Sequence, residues 1–270
     1  MGELLKGKIA LVTGAAGAIG YGICQVLLEN GATIVATDLP GEKLDAFAED
    51  LDKLAQGQSM GLPMDVTKVD SVATALDETL SKYGQLDILV HNAGIAHVSK
   101  IIDMDIEKFQ FLEKVNVLGT LIVLKETGRR MIEKDAGGDI VIMSTKNVPS
   151  PSAGFGAYSA TKAACHQLGR IASLEFAPHD IRVNMIAPDA VFSEGKYKSG
   201  LWDLVGQDRM RARGMNEEEL HQYYRERNLL KAAVTGRHVA NAVLFLVSRQ
   251  SPTTGATIPV DGGLPDATPR

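Results

Sequence analysis

Cysteine is scarce, with two residues in 270, Cys24 and Cys165. Two thiols build no disulfide framework, and these two have no metal-ligand spacing. The expected compartment is the reducing cytoplasm, and no metal centre is expected. Long hydrophobic runs are also missing. No apolar stretch approaches the roughly 20 residues that a membrane-spanning helix needs. The opening MGELLKGKIALVTG has neither the apolar core nor the small-residue cleavage site of a signal peptide. Charge of one sign is not in excess. Lys+Arg 28 against Asp+Glu 33 gives a net charge of −5, which argues against nucleic acid or an anionic membrane as partner. Aromatic residues make up 5% of the chain, so the single tryptophan, Trp202, stands out in the polar stretch that holds it.

Hydrophobic residues at 45% and charged residues at 23% suit a globular protein with a full core. Short apolar runs read as buried strands at 8–13, 33–37, 86–90, 140–143, 182–186 and 257–260, with a weaker one at 59–64. Helical spacing fills 20–30, 44–54, 69–83, 105–133, 157–176 and 237–248 between them. Strands alternating with helices along the whole length predict an α/β fold, a doubly wound parallel sheet of Rossmann type. Without a Pro/Gly-rich linker or an internal repeat, residues 1–270 read as one domain. The polar stretch 195–232 reads as a helical insertion within it.

Three features carry chemistry. The first strand runs into T-G-A-A-G-A-I-G, Thr13 to Gly20, which opens a helix. Glycines at such a turn let backbone approach a pyrophosphate, and the helix N-terminus offers free N–H groups and a positive dipole end. Asp38 closes the next strand, placed for ribose hydroxyls. Its charge would repel a 2′-phosphate, so NAD is the expected cofactor. Tyr158 and Lys162 stand one helical turn apart on one face. Alone they read as an ordinary surface pair. An ammonium held beside a phenol would instead favour phenolate, lowering a pKa of about 10 toward working pH and making a proton-transfer group.

With these motifs the chain resembles a classical short-chain dehydrogenase/reductase from about Lys8 to Gly263. The family's T-G-x-x-x-G-x-G is matched at Thr13, Gly14 and Gly20. Its middle glycine is replaced by Ala18, with Gly17 one place earlier, and Ile19 precedes Gly20. Asp65 and Val66 match the acidic position beside adenine. Asn92, Ala93 and Gly94 match the N-A-G motif, where His91 replaces a frequent asparagine and reads as a satisfied core histidine. The resemblance implies that Asn116 bends the long central helix and holds a water that relays protons to the lysine. It implies that Tyr158 is the general base, and that Lys162 lowers the tyrosine pKa and binds the nicotinamide ribose. It also implies a hydroxyl thirteen residues before the tyrosine. Thr145 stands there with Ser144 one residue earlier, and since strand neighbours face opposite ways, either could serve. Pro188, Val191 and Ser193 match the P-G-x-V-x-T that cups the nicotinamide. Asp189 replaces its glycine and reads either as a substrate contact or as a cap of the following turn.

The insertion is expected to fold over the cleft as a lid, with Trp202 and Tyr197 closing the pocket and Tyr223 and Tyr224 packing the lid itself. Its bases (Lys196, Lys198, Arg209, Arg211, Arg213, Arg225, Arg227 and Lys231) read as a solvated face. Alternatively, one or two enter the cleft to bind a phosphate, sulfonate or carboxylate. The wording A-P-D-A-V-F, S-G-L-W, E-E-L-x-x-Y-Y-R-E-R-N-L-L-K, V-D-G-G-L and S-T-K-N-V resembles one branch, the alcohol dehydrogenase part of bifunctional rhamnulose-phosphate aldolase/alcohol dehydrogenases, whose substrate is lactaldehyde. The aldolase part is absent, so a free-standing relative is expected. The expected function is NAD-dependent oxidation of a small secondary alcohol such as a polyol, sugar or hydroxyaldehyde, free, phosphorylated or sulfonated. The alternatives are an NADPH-dependent ketone or 3-oxoacyl reductase and a non-catalytic nucleotide-binding module. Apolar residues on more than one face of 157–176, with the helix around Asn116, predict a homotetramer of dihedral symmetry, or at least a dimer.

Overall fold

A computed structural model describes residues 3–192, 196–197 and 200–265. The strands of the main sheet are Ile9–Thr13 (β1), Thr33–Asp38 (β2), Ser59–Pro63 (β3), Ile88–His91 (β4), Gly138–Met143 (β5), Ile181–Pro188 (β6) and, after the short Val191–Phe192 (β7) and Val234–Thr235 (β8), Thr257–Val260 (β9). All seven lie parallel in the order β3-β2-β1-β4-β5-β6-β9. The expected doubly wound α/β fold in a single domain is what the chain forms. From β1 the chain runs outward to β2 and β3, then returns to lay β4 on the other side of β1. That reversal opens a crevice at the carboxyl ends of β1 and β4, where open parallel sheets bind their ligands.

The central strands β1, β2, β4, β5 and β6 are buried on both faces because they alternate two apolar sets. Ala10, Val12, Ile34, Ala36, Val141 and Met143 join one core cluster, while Ile9, Leu11, Val35, Ile140 and Ile142 join the other. Ala18–Glu29 (α1), Glu42–Leu54 (α2) and Gly236–Val247 (α9) cover the first face. Val69–Tyr83 (α3), Gly119–Lys134 (α5) and Gly156–Phe176 (α6) cover the second.

The long helical pattern predicted over 105–133 is not one regular helix. Asp105 caps Ile106–Leu112 (α4) by accepting from the N–H groups of Glu107 and Lys108. A π turn then occupies Glu113–Leu118 before α5 begins, and the Gly119 N–H reaches back five residues to the Lys114 carbonyl. Periodicity does not reveal this break, because an apolar stripe continues through a single widened turn. Strands β5 and β6 are longer than predicted, since Gly138 and Pro188 pair in the sheet although neither reads as a strand residue.

The insertion forms two helices, Gly200–Arg213 (α7) and Glu217–Glu226 (α8). Asn216 and Glu219 close a reciprocal capping box at the start of α8. Two pairings fix its ends to the main fold. Strands β7 and β8 pair in parallel across its base, and the Leu229 and Leu230 N–H groups bond the Gly263 and Gly262 carbonyls.

Candidate active site

A cavity of about 580 Å³ opens at the carboxyl ends of the strands. Gly14, Gly17, Ala18 and Ile19 line one end with Asp38, Asp65, Val66, Asn92, Ala93 and Gly94. Gly17 stands at the N-cap of α1 with no side-chain cap, so the first N–H groups of that helix remain for a ligand. The Ala18 departure is absorbed here, because Ala18 simply begins the helix that Gly17 introduces. Asp38 is fixed by the Ala16 N–H on one carboxylate oxygen and the Leu39 N–H on the other. Asn92 donates to the Gly14 carbonyl at 2.8 Å, and the Thr13 hydroxyl accepts from the Ala93 N–H at 2.9 Å. The glycine turn is thus tied to the end of β4. Gly20 does not line the cavity. It lies beneath the turn, where a Cβ would come within 2.5 Å of the Gly14 and Ala15 carbonyl oxygens, so its contribution is to the shape of the turn. These residues fit a dinucleotide, with anion-binding amides at one point and a carboxylate for ribose at the next.

Midway along the cavity stand Ser144, Thr145, Tyr158 and Lys162. Ser144 and Thr145 follow β5 and have different partners. Ser144 Oγ bonds His166 Nδ1 at 3.0 Å, whereas the Thr145 side chain acts on the Tyr158 phenol and favours its ionised form. The Asn147 N–H donates to Thr145 Oγ1 at 3.3 Å, which leaves the threonine proton for the phenol or a substrate oxygen. Lys162 Nζ donates to the Met143 carbonyl at 2.9 Å. A Cβ on Gly94 would stand 3.0 Å from Lys162 Nζ and 3.2 Å from Asn116 Oδ1, so a larger residue there would crowd both.

Burial is the dominant electrostatic influence here. It pushes the Tyr158 phenol up to about 12, while the Thr145 side chain acts the other way. It also holds Lys162 below the usual lysine range. Burial thus moves Tyr158 opposite to the predicted lowering, and Lys162 is not among the groups that shift it.

Asn116 sits in the π turn, 1% exposed and behind the cavity wall. Its amide donates to the Ile95 carbonyl at 2.9 Å and to Thr161 Oγ1 at 3.0 Å, and its Oδ1 accepts from the Ile95 N–H at 2.9 Å. Both amide hydrogens are thus spent on holding the 93–95 loop against α6. His91 is a satisfied core residue, as read from the sequence, bonded to Thr13 and Thr120 at 3.0 Å each.

The insertion walls the other end of the cavity with Trp202, Val205, Arg209, Tyr224 and Arg227. Trp202 donates to the Val191 carbonyl at 2.9 Å and stacks on Phe192. Tyr197 is not a wall. It stacks on Tyr21 with ring centroids 4.4 Å apart and bonds Asp50, on the side of α1 and α2. Asp189 lines the cavity, and its carboxylate is ion-paired with Arg227. Pro188 and Val191 line the same wall, while Ser193 lies outside the described residues.

A family model described as enoyl-(acyl carrier protein) reductase matches residues 14–265. The chain is 33% identical over 267 residues to YuxG of Bacillus subtilis, an uncharacterized oxidoreductase, covering 97% of this chain but only 38% of that relative. The chain belongs to the short-chain dehydrogenase/reductase family. Among its members, the 3-oxoacyl-[acyl-carrier-protein] reductase FabG of Aquifex aeolicus is 31% identical over 261 residues, 96% of this chain and 98% of that one. The structure of an NAD+-bound xylitol dehydrogenase superposes with a TM-score of 0.86 at 26% identity, covering 96% of this chain and 99% of that one.

For this short-chain dehydrogenase/reductase, sequence reasoning passed over several cavity residues. Phe155, Lys146, Asn147 and Ser152 line the substrate end. Phe155 had a signal in its place one turn before Tyr158 on the same helical face. Lys146 and Asn147 had none, because they follow β5 in a loop whose course no periodicity gives. Tyr224, expected to pack only the lid, faces the cavity. Of the insertion's bases, Arg209 and Arg227 line the cavity. Lys196 goes to Asp50, Arg211 to Asp208, Lys231 to Glu226, and Lys198 lies outside the described residues.

Proposed function

We propose that this oxidoreductase is an NAD-dependent dehydrogenase of a small secondary alcohol, of the polyol, sugar or hydroxyaldehyde class. The convergence of Thr145, Tyr158 and Lys162 in one cavity with Asp38 carries this reading. The Thr145 hydroxyl donates to the substrate oxygen and steadies the charge that develops there. Tyr158, as phenolate, takes the alcohol proton. Lys162 supplies the positive charge beside it and binds the nicotinamide ribose. The bound nicotinamide supplies the hydride acceptor. Asp38 receives the adenosine ribose hydroxyls, with Asp65 and Val66 beside the adenine. Pro188, Val191 and Ser193 cup the nicotinamide side. The insertion acts as the lid that excludes water and selects the alcohol.

The likeness to an NAD+-bound xylitol dehydrogenase supports the polyol class and the choice of cofactor. The wording of the insertion supports kinship with the dehydrogenase part of rhamnulose-phosphate aldolase/alcohol dehydrogenases. A cytoplasmic homotetramer completes the proposal. No described helix is long and apolar enough to cross a membrane. A second reading, an NADPH-dependent 3-oxoacyl reductase, has the FabG relative in its favour. Asp38 weighs against it through repulsion of a 2′-phosphate.

Initial rates with both cofactors, taken over small polyols and hydroxyaldehydes, decide between the two. NAD is expected to be preferred, and Asp38→Ala to narrow that preference. A wild-type preference for NADP would overturn the reading of Asp38. Tyr158→Phe is expected to lose at least about a hundredfold in kcat through the missing general base, and unchanged turnover would sink the mechanism.

A further inference from the structure

The substrate end of the cavity holds a positive charge that the proposed chemistry leaves unused. Arg209 on α7 is 5% exposed. Its guanidinium carbon lies 4.8 Å over the centre of the Phe155 ring. Its Nε and one terminal nitrogen, Nη2, each donate to the Tyr224 phenol oxygen at 3.2 Å. The other terminal nitrogen, Nη1, has no hydrogen-bond partner, and no carboxylate pairs with Arg209 among the described residues. The neighbouring bases differ, since Arg227 is paired with Asp189 and Arg211 with Asp208. Taking a guanidinium out of water without a counter-charge is costly, and a neutral phenol oxygen does not neutralise it.

The surroundings point the same way. Arg209 and Tyr158 line one cavity and flank one ring, for the Tyr158 ring centre is 6.0 Å from that of Phe155. Of the acids lining the cavity, Asp38 and Asp65 belong to the dinucleotide end, and Asp189 is neutralised by Arg227. The substrate end is therefore left net positive. The free edge of a guanidinium is shaped for two parallel hydrogen bonds to an oxyanion. A substrate of a few carbons, with its hydroxyl at Tyr158, brings its far end to that edge.

Resting on the dehydrogenase reading above, we propose that the substrate carries an oxyanion (carboxylate, sulfonate or phosphate) a few atoms from its carbinol carbon, and that Arg209 binds it. The test is steady-state oxidation with NAD over matched pairs. These are 1,3-butanediol and 3-hydroxybutyrate, propane-1,2-diol and 2,3-dihydroxypropane-1-sulfonate, and glycerol and glycerol 3-phosphate. In at least one pair the anionic member is expected to exceed the neutral one about tenfold or more in kcat/KM, the scale of one charged hydrogen-bonding contact. The pair that does so identifies the oxyanion. Arg209→Gln is expected to lower kcat/KM for the anionic member far more than for the neutral one and so to close the gap, and Arg209→Lys to restore part of it. Neutral members matching or exceeding anionic ones in all pairs would overturn the proposal. So would Arg209→Gln lowering both members alike, which is the mark of a packing role. Absence of turnover with every compound would fail the dehydrogenase reading instead. Thermal unfolding then decides the anion site on its own. With NADH present, acetate, methanesulfonate or inorganic phosphate should raise the melting temperature of the wild type and not of Arg209→Gln, and no Arg209-dependent rise refutes the site.

Discussion

Two consecutive hydroxyl residues at the end of β5 reach different neighbours. Ser144 Oγ meets His166, while Thr145 meets Tyr158 and is backed by the Asn147 N–H. Alternation along a strand dictates that only one of the pair faces the tyrosine, and the sequence alone could not say which. In the proposed mechanism Thr145→Val therefore removes the donor to the developing alkoxide. Losing one such donor costs about a hundredfold or more in kcat. Thr145→Ser should recover most of the rate, and Ser144→Ala should stay within severalfold of wild type. Stopped-flow measurement of NADH formation checks the series. A larger loss in Ser144→Ala than in Thr145→Val would give the role to the serine. Most of the motif residues were legible at this scale, because glycine, aspartate, tyrosine and lysine at fixed spacings leave few alternative uses. Arg209, Asp189 and Tyr197 were not, since their fate depends on which residue from a distant element meets them. Asp189 and Arg227 are 38 positions apart, and Tyr197 and Asp50 are 147 apart.

At the scale of elements, the site is held by ties across the sheet. His91 at the end of β4 bonds Thr13 of β1 and Thr120 of α5. Burial, with the Lys162 charge adding to it, pushes the imidazole down to about 3 from an ordinary value near 6.5. The folded chain thus keeps His91 neutral where the unfolded chain binds a proton. Its contribution is fully present above about pH 6.5 and is lost as the pH falls toward 3, by at most about 1.4 kcal/mol per pH unit. Urea unfolding of wild type and His91→Asn at pH 7 and pH 4.5 measures it. The carboxylates titrate alike in both proteins, so the difference isolates the histidine. The asparagine variant should lose less stability between the two pH values, and equal losses would show that His91 does not titrate as described. The π turn around Asn116 is a second such tie. It was foreshadowed only by family resemblance, because the helical period runs through it unbroken. The helices and strands themselves were legible from apolar spacing, with end errors where Gly138 and Pro188 pair without strand-like side chains.

At the scale of the whole molecule, apolar side chains remain uncovered on the outer faces of the helices that carry the proposed catalytic groups. Leu118 in the π turn and Leu121 on α5 are exposed, as are Ile171 and Leu174 on α6, with Leu174 at 76%. The two helices pack side by side on one face of the sheet, and Phe176 fills the space that Gly128 leaves between them. Scattered exposed leucines are ordinary on any surface, but here they lie on the adjacent helices whose inner faces are already used by the core. Under the proposed assembly this face packs against its own copy across a twofold axis, and a second twofold axis closes the tetramer. The proposed homotetramer therefore predicts a mass four times that of the chain in light scattering at micromolar concentration. Leu121→Lys combined with Leu174→Glu should reduce the mass to that of a dimer or monomer while the far-ultraviolet dichroism stays native. Because Asn116, Tyr158 and Lys162 lie on these same elements, the separated form should also lose turnover more than it loses NAD affinity. A monomeric wild type would refute the assembly.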